Sequence, residues 1–375
     1  MLSNEVFEKA MSVFEVPKEF YEEAKLMLTE DEMRYIALAG KEAYSPAEMT
    51  AIITENGLDC DPETLIRTMY SKAITEKIVP DFINPVYGLF GNPVEGGFDF
   101  NSVEREVTDE ENARASYRVT DFYTRLPYFA QFEPDAYAPI PKKRKQALNE
   151  WDLKVYAHHY EDVIRNKMNG YEEKMHQNDW LSLDEAMKVL DKNKDFIYLI
   201  PCNCKMMVYD HDKLREVCVR FYGGPNTEYD RGHGRRITLE EAKELVLKAR
   251  KSGLMQCGEG YSMCNCDSKC CFPIEVSRQM GARGVFPRSN WKTYYDAEKC
   301  IQCGKCTKVC NFDAIRFGWN NEVCFDADRC WGCTICESAC PTGAIRIEKI
   351  AHQFKNTDAE GHLTAVRAGD GSLLF

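Results

Sequence analysis

The sequence has no long apolar segment. Its densest short run, residues 196–200, has the length of one buried strand, and no stretch approaches the ~18 apolar residues of a membrane span. The first eight residues have neither the basic cluster nor the apolar stretch of a secretory signal. We therefore expect a cytoplasmic protein with no membrane segment. With 44% hydrophobic and 29% charged residues over 375 positions, the chain is not disordered or fibrous and can form two or three domains.

Basic charge is scarce at the N-terminal end. Residues 1–100 hold 8 Lys and Arg against 19 Asp and Glu, a net charge of −11, whereas the whole chain has −12. Affinity for nucleic acid depends largely on Lys and Arg that neutralise phosphates. No nucleic-acid partner is therefore expected.

The first 90 residues have the pattern of a small helical domain. Capping boxes begin helices at Thr29 and Ser45, and Pro62 opens a third helix. Residues 78–90 are typical of a short β-wing. Residues 1–90 are therefore predicted to form a winged-helix-like domain that serves protein docking or packing, because its charge argues against DNA binding.

Residues 91–195 are predicted to be a connector rich in aromatic residues and proline, with further helices. Its basic run, residues 142–145, stands beside prolines and is interpreted as an exposed turn rather than an anion patch. Helical spacing of apolar residues returns between residues 151 and 194.

Cysteine dominates the second half of the chain. Of 18 cysteines, all but Cys60 lie between Cys202 and Cys340. Disulfide-rich scaffolds are usually short and secreted, and this chain fits neither description. The density of thiols in a reducing compartment therefore predicts metal binding.

The strongest motif occurs twice, at residues 300–310 and 330–340, as C-x2-C-x2-C-x3-C. Each copy is followed by a similar turn and strand, and the motif closely resembles that of bacterial two-cluster ferredoxins. The resemblance implies two 4Fe–4S clusters in a domain spanning residues 291–352, followed by a tail at 353–375. The first copy of the motif departs from the ferredoxin pattern at Asn311, where proline is usual. Cys324, between the copies, is predicted to be a strand thiol. The implied ligands are Cys300, Cys303, Cys306 and Cys340 for cluster 1, and Cys330, Cys333, Cys336 and Cys310 for cluster 2.

A central domain is predicted at residues 196–290, with eight further cysteines. Four thiolates gathered from a strand end and from the dense turn at 264–271 would form a third metal site. An iron–sulfur centre is favoured over zinc, because the neighbouring ferredoxin-type motif implies 4Fe–4S clusters in the same chain. Surplus thiols could instead form a redox dithiol or contact a substrate, and Cys257 could simply be buried. The predicted ligands are Cys202, Cys218, Cys264 and Cys270, with Cys204, Cys266 and Cys271 as alternates.

A short arginine-rich loop lies inside this domain. Arg231, Arg235 and Arg236 stand with two glycines before a capped helix. They could bind an anion, such as a phosphate-bearing cofactor, or form an exposed loop that leads into the helix. The sequence favours neither interpretation.

The order of winged-helix-like domain, cysteine-rich domain and two-cluster ferredoxin resembles that of 4Fe–4S ferredoxin-domain proteins of anaerobes. The resemblance implies an α+β protein that transfers electrons between a soluble donor and a partner oxidoreductase. Two alternatives remain: a reductase that uses the central site, and, less favoured, a redox-sensing regulator. Nothing in the sequence indicates the substrate, the redox partner or the oligomeric state.

Overall fold

The computed structural model describes residues 2–80, 106–169, 179–208, 212–259, 262–350, 353–357 and 363–367. Helices and strands both contribute, and the pairings between the named strands of these ranges are antiparallel. The predicted α+β class is confirmed at this level. In the described part of the chain, no helix is long and apolar enough to cross a bilayer.

The N-terminal unit combines short helices with a small sheet. The predicted capping boxes at Thr29 and Ser45 are confirmed. Each of these side chains accepts from the backbone N–H at N3, and the glutamate at N3 accepts from the backbone N–H of the capping residue. Ile36 and Met69 are fully buried in a shared core. The elements are α1 (Asn4–Val13), α2 (Tyr21–Met27), α3 (Glu30–Ala39), β1 (Ala43–Tyr44), α4 (Pro46–Glu55), α5 (Pro62–Ser71) and β2 (Thr75–Ile78).

The third strand of this sheet, β3 (Ser116–Val119), comes from the segment predicted as a connector. It lies between β1 and β2, giving the order β1-β3-β2. Of the predicted wing, residues 81–90 lie outside the described ranges. The winged-helix interpretation therefore stays a prediction.

Helix α6 (Asp109–Ala113) precedes β3, and the helices described after that strand are α7 (Phe122–Phe132), α8 (Pro134–Tyr137) and α9 (Lys142–Met168). The basic run interpreted as a turn is instead the first turn of α9. Its cations have specific partners, since Arg144 Nε lies 2.6 Å from Glu23 and Lys145 donates to the Ala138 carbonyl at 2.8 Å. These contacts, rather than local sequence, fix the start of the helix.

Helix α9 joins the N-terminal unit to the central one. Near its start, the ring of Trp151 packs 5.1 Å from that of Phe122. Farther along, Tyr156 lies 5.6 Å from Phe272, which belongs to the central unit. Helix α9 therefore helps to hold the two units against each other.

The central unit is built on a six-stranded sheet of order β4-β8-β9-β6-β5-β7. Alternation along its strands separates two faces. Leu199, Val219 and Met263 pack beneath two helices, whereas Ile200 and Cys218 face the other side. The elements are β4 (Asp179–Trp180), α10 (Leu183–Lys192), β5 (Tyr198–Pro201), α11 (Asn203–Val208), β6 (Glu216–Arg220), β7 (Arg235–Arg236), α12 (Leu239–Lys251), β8 (Met255–Glu259), β9 (Ser262–Cys266) and α13 (Phe272–Met280).

The C-terminal unit repeats one pattern of loop, short helix and strand. Strand β10 (Trp291–Tyr295) pairs with β13 (Ile345–Lys349), and β11 (Ile315–Phe317) pairs with β12 (Val323–Phe325). The repeated helices are α14 (Lys305–Val309) and α15 (Ile335–Ala339), and a final hairpin consists of β14 (Gln353–Thr357) and β15 (Leu363–Arg367).

Candidate metal centres

The first ferredoxin-type cysteine set lines one cavity, together with the apolar side chains of Val323 and Ile345. Burial raises the pKa of the Cys306 thiol to about 11, so its thiolate needs a bound cation to be stable. Cys303 is exposed at the surface. Four thiols around one apolar-walled space fit a 4Fe–4S cluster. These thiols are Cys300, Cys303, Cys306 and Cys340.

The second set is more enclosed. Burial and then the charges of Cys333, Cys330 and Cys310 raise the pKa of the Cys336 thiol, which places these four groups together. Burial also raises the pKa of Cys333 to about 12. Cys333 and Cys336 are both buried. The second set therefore lies on the side of the C-terminal unit that is turned away from solvent.

The two cysteine loops share a backbone that the sequence motif does not reveal. Gln302 and Gly332 have φ values of 57° and 62°, and Gly304 and Thr334 have 66° and 64°. Left-handed backbone is uncommon outside glycine. Thr334 is held in it by a hydrogen bond from its hydroxyl to the Leu181 carbonyl, 3.0 Å away in the central unit.

The central unit brings all eight of its cysteines into one continuous cluster, which we call the central thiol cluster. Neighbouring thiols lie close enough to shift one another's pKa. These neighbours are Cys204 and Cys202, Cys202 and Cys218, Cys218 and Cys264, Cys264 and Cys266, and Cys266 with Cys257 and Cys271. The eighth member, Cys270, lies within electrostatic reach of Cys202 and Cys271. The predicted ligands and their alternates thus occupy one site.

Cys257 was not predicted to belong to this site. It faces Cys264 across the β8–β9 ladder and contacts Cys266. Its membership follows from strand register, which a lone cysteine in the sequence does not indicate. The central thiol cluster therefore contains one thiol more than the motifs suggested.

A buried cation lies within the central thiol cluster. Lys205 is completely buried, and its ammonium donates to the Asn265 carbonyl at 2.6 Å. Burial lowers the pKa of Lys205, but the charges of Cys202 and Cys218 and of other cluster cysteines outweigh it, so the net shift is upward. A buried ammonium is stable only beside negative charge. The residues around it are therefore arranged for an anionic centre.

Within the described ranges, no three His, Cys, Asp or Glu side chains converge on a point as a lone metal ion requires. This applies to the ferredoxin-type sets as well as to the central thiol cluster.

A buried polar network links the central thiol cluster to the second cysteine set. Arg250 donates to the Thr334 carbonyl at 3.0 Å and to Gln256 at 2.7 Å. Gln256 donates to the Asn265 side chain at 2.8 Å, and Asn265 accepts from Lys205 through its backbone. Hydrogen bonds therefore run from the loop of Cys333 and Cys336 to the lysine within the cluster.

Asn311, the departure from the ferredoxin pattern, lies in the same interface. Its side chain donates to the Gly253 carbonyl at 2.8 Å and accepts from the Ser268 N–H at 3.2 Å. Next to it the rings of Phe312 and Trp331 stack at 4.7 Å. A proline could make neither side-chain bond. The unusual residue therefore attaches the module to the turn that carries Cys270 and Cys271.

The arginine-rich loop contacts the N-terminal unit. Arg231 is buried and donates to the Thr75 carbonyl at 2.7 Å, and His233 lies 2.7 Å from the Ser71 carbonyl. Arg235 and Arg236 are exposed on β7, where Arg235 pairs with Glu241. The three guanidinium groups do not converge, and anion binding by this loop stays a prediction.

The helix α5, which a DNA-binding interpretation would place on DNA, is followed by cations that already have partners. Lys77 is buried 2.8 Å from Asp230 in the central unit, and Lys72 lies 2.9 Å from Glu32. The N-terminal unit thus docks on its own chain through this region.

The two remaining cysteines lie outside these three groups. The thiol of Cys324, on β12, donates to the Arg316 carbonyl at 3.4 Å, in keeping with a strand thiol. Cys60 is half-buried in the N-terminal unit.

The comparisons with known proteins bear on one part of the chain. No curated protein and no solved structure matches the chain. Residues 294–347, which hold both ferredoxin-type sets, match the family model of the 4Fe–4S dicluster domain. The C-terminal unit is therefore an iron–sulfur module of ferredoxin type, with a role in electron transfer.

Proposed function

We propose that the protein conducts electrons from an external donor to the central thiol cluster, in anaerobic redox metabolism. Cys300, Cys303, Cys306 and Cys340 would hold cluster 1, and Cys330, Cys333, Cys336 and Cys310 would hold cluster 2. The central thiol cluster would hold a third iron–sulfur centre, with Cys202, Cys218, Cys264 and Cys270 as first candidates for ligands. When bound, such clusters supply reversible one-electron storage.

The orientation of the ferredoxin-type module carries this proposal. Its enclosed cysteine set faces the central unit through Arg250 and Asn311. Its other set opens to the surface at Cys303. Electrons would therefore enter at the exposed set and leave toward the central thiol cluster.

The surface around Cys303 suits a protein donor. Ile301, Phe317 and Trp319 are 63%, 44% and 99% exposed, a local concentration of apolar surface at the outer cysteine loop and the neighbouring hairpin. Exposed apolar groups of this kind mark interaction sites. The acidic N-terminal unit would add electrostatic steering of a basic partner.

Iron is favoured over zinc at the central thiol cluster on the chemistry of its residues. A structural zinc site uses four ligands, usually drawn from separated pairs. Here eight thiols are contiguous and enclose the ammonium of Lys205. Such a counter-charge suits a centre that becomes more negative when it is reduced.

The test is iron, acid-labile sulfide and zinc per chain, in protein purified without oxygen, with electron paramagnetic resonance of the reduced state. We expect about twelve irons and no zinc, and about eight irons in Cys202→Ala. Cys60→Ala, outside all three sites, is the matched control. About eight irons in the wild type, with or without zinc, would contradict the third centre.

A further inference from the structure

A large cavity separates α7 from the central sheet. Its volume is about 620 Å³. Its outer residues are accessible: the side chains of Lys41, Glu15 and Arg118 are 41%, 63% and 46% exposed. Its inner residues include Tyr198 and Gln131, both of which are buried. The cavity therefore runs from the surface to the interior and is open to a small molecule.

Aromatic rings form much of its wall. Tyr123 and Tyr128 come from α7, Tyr198 from β5 and His159 from α9. Burial raises the pKa of Tyr123 and of Tyr128, so both phenols stay protonated at neutral pH. Among the described residues, no hydrogen-bond partner faces the Tyr123 hydroxyl. The wall thus offers flat apolar faces and a neutral donor.

Three of the four carboxylates that line the cavity lie beside cations, and the fourth, Asp121, accepts from the Thr124 N–H at 2.7 Å. Arg118 Nε donates to Glu76 at 2.6 Å, and Lys41 lies 2.8 Å from Glu15. Glu228 accepts from the Tyr198 hydroxyl at 3.2 Å and is 3.4 Å from a guanidinium nitrogen of Arg220. Paired charges leave little net field to attract a strongly charged ligand. The cavity instead suits a molecule whose oxygen atoms accept hydrogen bonds.

The inner wall of the cavity is also the wall of the central thiol cluster. Asn203 lines the cavity and stands between Cys202 and Cys204 in the chain. Gln131 donates to the Pro201 carbonyl at 2.8 Å. Arg220, another lining residue, acts electrostatically on Cys264. A bound molecule would therefore lie beside the thiols proposed to hold the third centre.

We propose that this cavity binds a planar, conjugated carbonyl compound that accepts electrons at the central thiol cluster. The inference rests on the proposed function for the source of electrons, but the binding site stands on its own geometry. The rings of Tyr123, Tyr128 and Tyr198 contact the flat faces, and the Tyr123 hydroxyl donates to a carbonyl oxygen. The protein is then a reductase, and the ferredoxin-type module supplies its electrons.

The overall reaction balances with an external one-electron reductant. A quinone-type acceptor takes two electrons, delivered singly, and two protons, and its two carbonyl oxygens become hydroxyls. The open mouth of the cavity admits the protons from solvent. Two molecules of the reductant, a soluble low-potential electron donor, are each oxidised by one electron for each molecule of acceptor reduced.

Binding is tested first on the oxidised protein, by equilibrium dialysis against anthraquinone-2-sulfonate. We expect saturable binding at one site per chain. Thr124→Trp places a large ring in the cavity and should weaken binding by at least about tenfold. Thr54→Trp, on the exposed face of α4, should bind as the wild type does. Tyr123→Phe removes one donor and should weaken binding about three- to tenfold.

Because this assay transfers no electrons, it separates the cavity from the proposed function. Absent binding, or equal binding by Thr124→Trp and the wild type, overturns the cavity site. Reduction of anthraquinone-2-sulfonate by reduced flavodoxin, measured above the rate without the protein, tests the electron route. Cys202→Ala should keep binding and cluster-1 and cluster-2 spectra but lose at least about tenfold in turnover. Unchanged turnover in that variant overturns delivery through the central thiol cluster.

Discussion

A single buried charge distinguishes the central thiol cluster from ordinary packing of cysteines. Lys205 has no exposed surface and lies among thiols whose charges raise its pKa. Eight neutral thiols would make this ammonium an uncompensated buried charge, which costs several kcal/mol. The lysine is therefore the residue through which the anionic character of the site can be tested.

Lys205→Met should lose the third centre, because the anionic site would lose its internal counter-charge. We expect iron to fall from about twelve to about eight per chain while the spectra of the ferredoxin-type clusters persist. Lys248→Met, on the exposed face of α12, is the matched control. A Lys205→Met protein that keeps its iron and unfolds at a higher temperature would show that the site is neutral.

The side chain of Asn311 attaches the ferredoxin-type module to the central unit. Asn311→Ala removes the bonds to Gly253 and Ser268 and should lower the free energy of unfolding by about 1–3 kcal/mol. It should also slow reduction of the third centre without changing iron content, as followed by rapid-freeze resonance spectra. Asn320→Ala, in an exposed turn of the same module, should do neither. Equal rates in both variants would contradict a positioning role for Asn311.

Among the elements, those with local signals were predictable. The capping boxes of α3 and α4 satisfy their own helix ends, so short stretches of sequence fix where these helices begin. The spacing of the two cysteine runs likewise predicts where their loops lie, although it does not reveal the left-handed backbone within them. Such features depend on contacts between residues only a few positions apart.

Elements defined by distant contacts were not predictable. Strand β3 pairs with β1 and β2 across a long stretch of chain, and α9 begins in a basic run whose partners come from α2 and from the loop after α8. The register that places Cys257 opposite Cys264 is equally non-local. The site was therefore foreseen by composition, but its full membership required the fold.

Helix α12 connects the central unit to the loop of the second cysteine set, and Arg250 near its end makes the contact. Burial lowers the pKa of this guanidinium, opposed by the charges of Cys333, Glu337 and Cys336. A buried cation favours the reduced, more negative state of a nearby cluster.

Arg250→Met should therefore lower the reduction potential of cluster 2 by tens of millivolts and leave that of cluster 1 unchanged. Redox titration followed by resonance spectra of each cluster measures both. Arg235→Met, on exposed β7, should shift neither potential. Equal shifts in both clusters would contradict the assignment of Cys330, Cys333, Cys336 and Cys310 to the inner cluster.

The two ends of the proposed electron route differ in what can reach them from solvent. Its outer end carries exposed Cys303 with the apolar residues around Trp319, and its inner end carries the central thiol cluster and the cavity. A protein donor cannot reach the inner end directly, whereas a small reductant can diffuse into the cavity. Donor size therefore separates the two routes.

Cys303→Ala tests this difference between the two ends, because it removes a proposed ligand of the outer cluster only. Reduced flavodoxin should reduce the third centre at least about tenfold more slowly than in the wild type, while dithionite should reduce it as before. Cys60→Ala should behave as the wild type with both donors. If Cys303→Ala is reduced by flavodoxin at the wild-type rate, electrons enter elsewhere, and the outward face of the ferredoxin-type module is not the docking site.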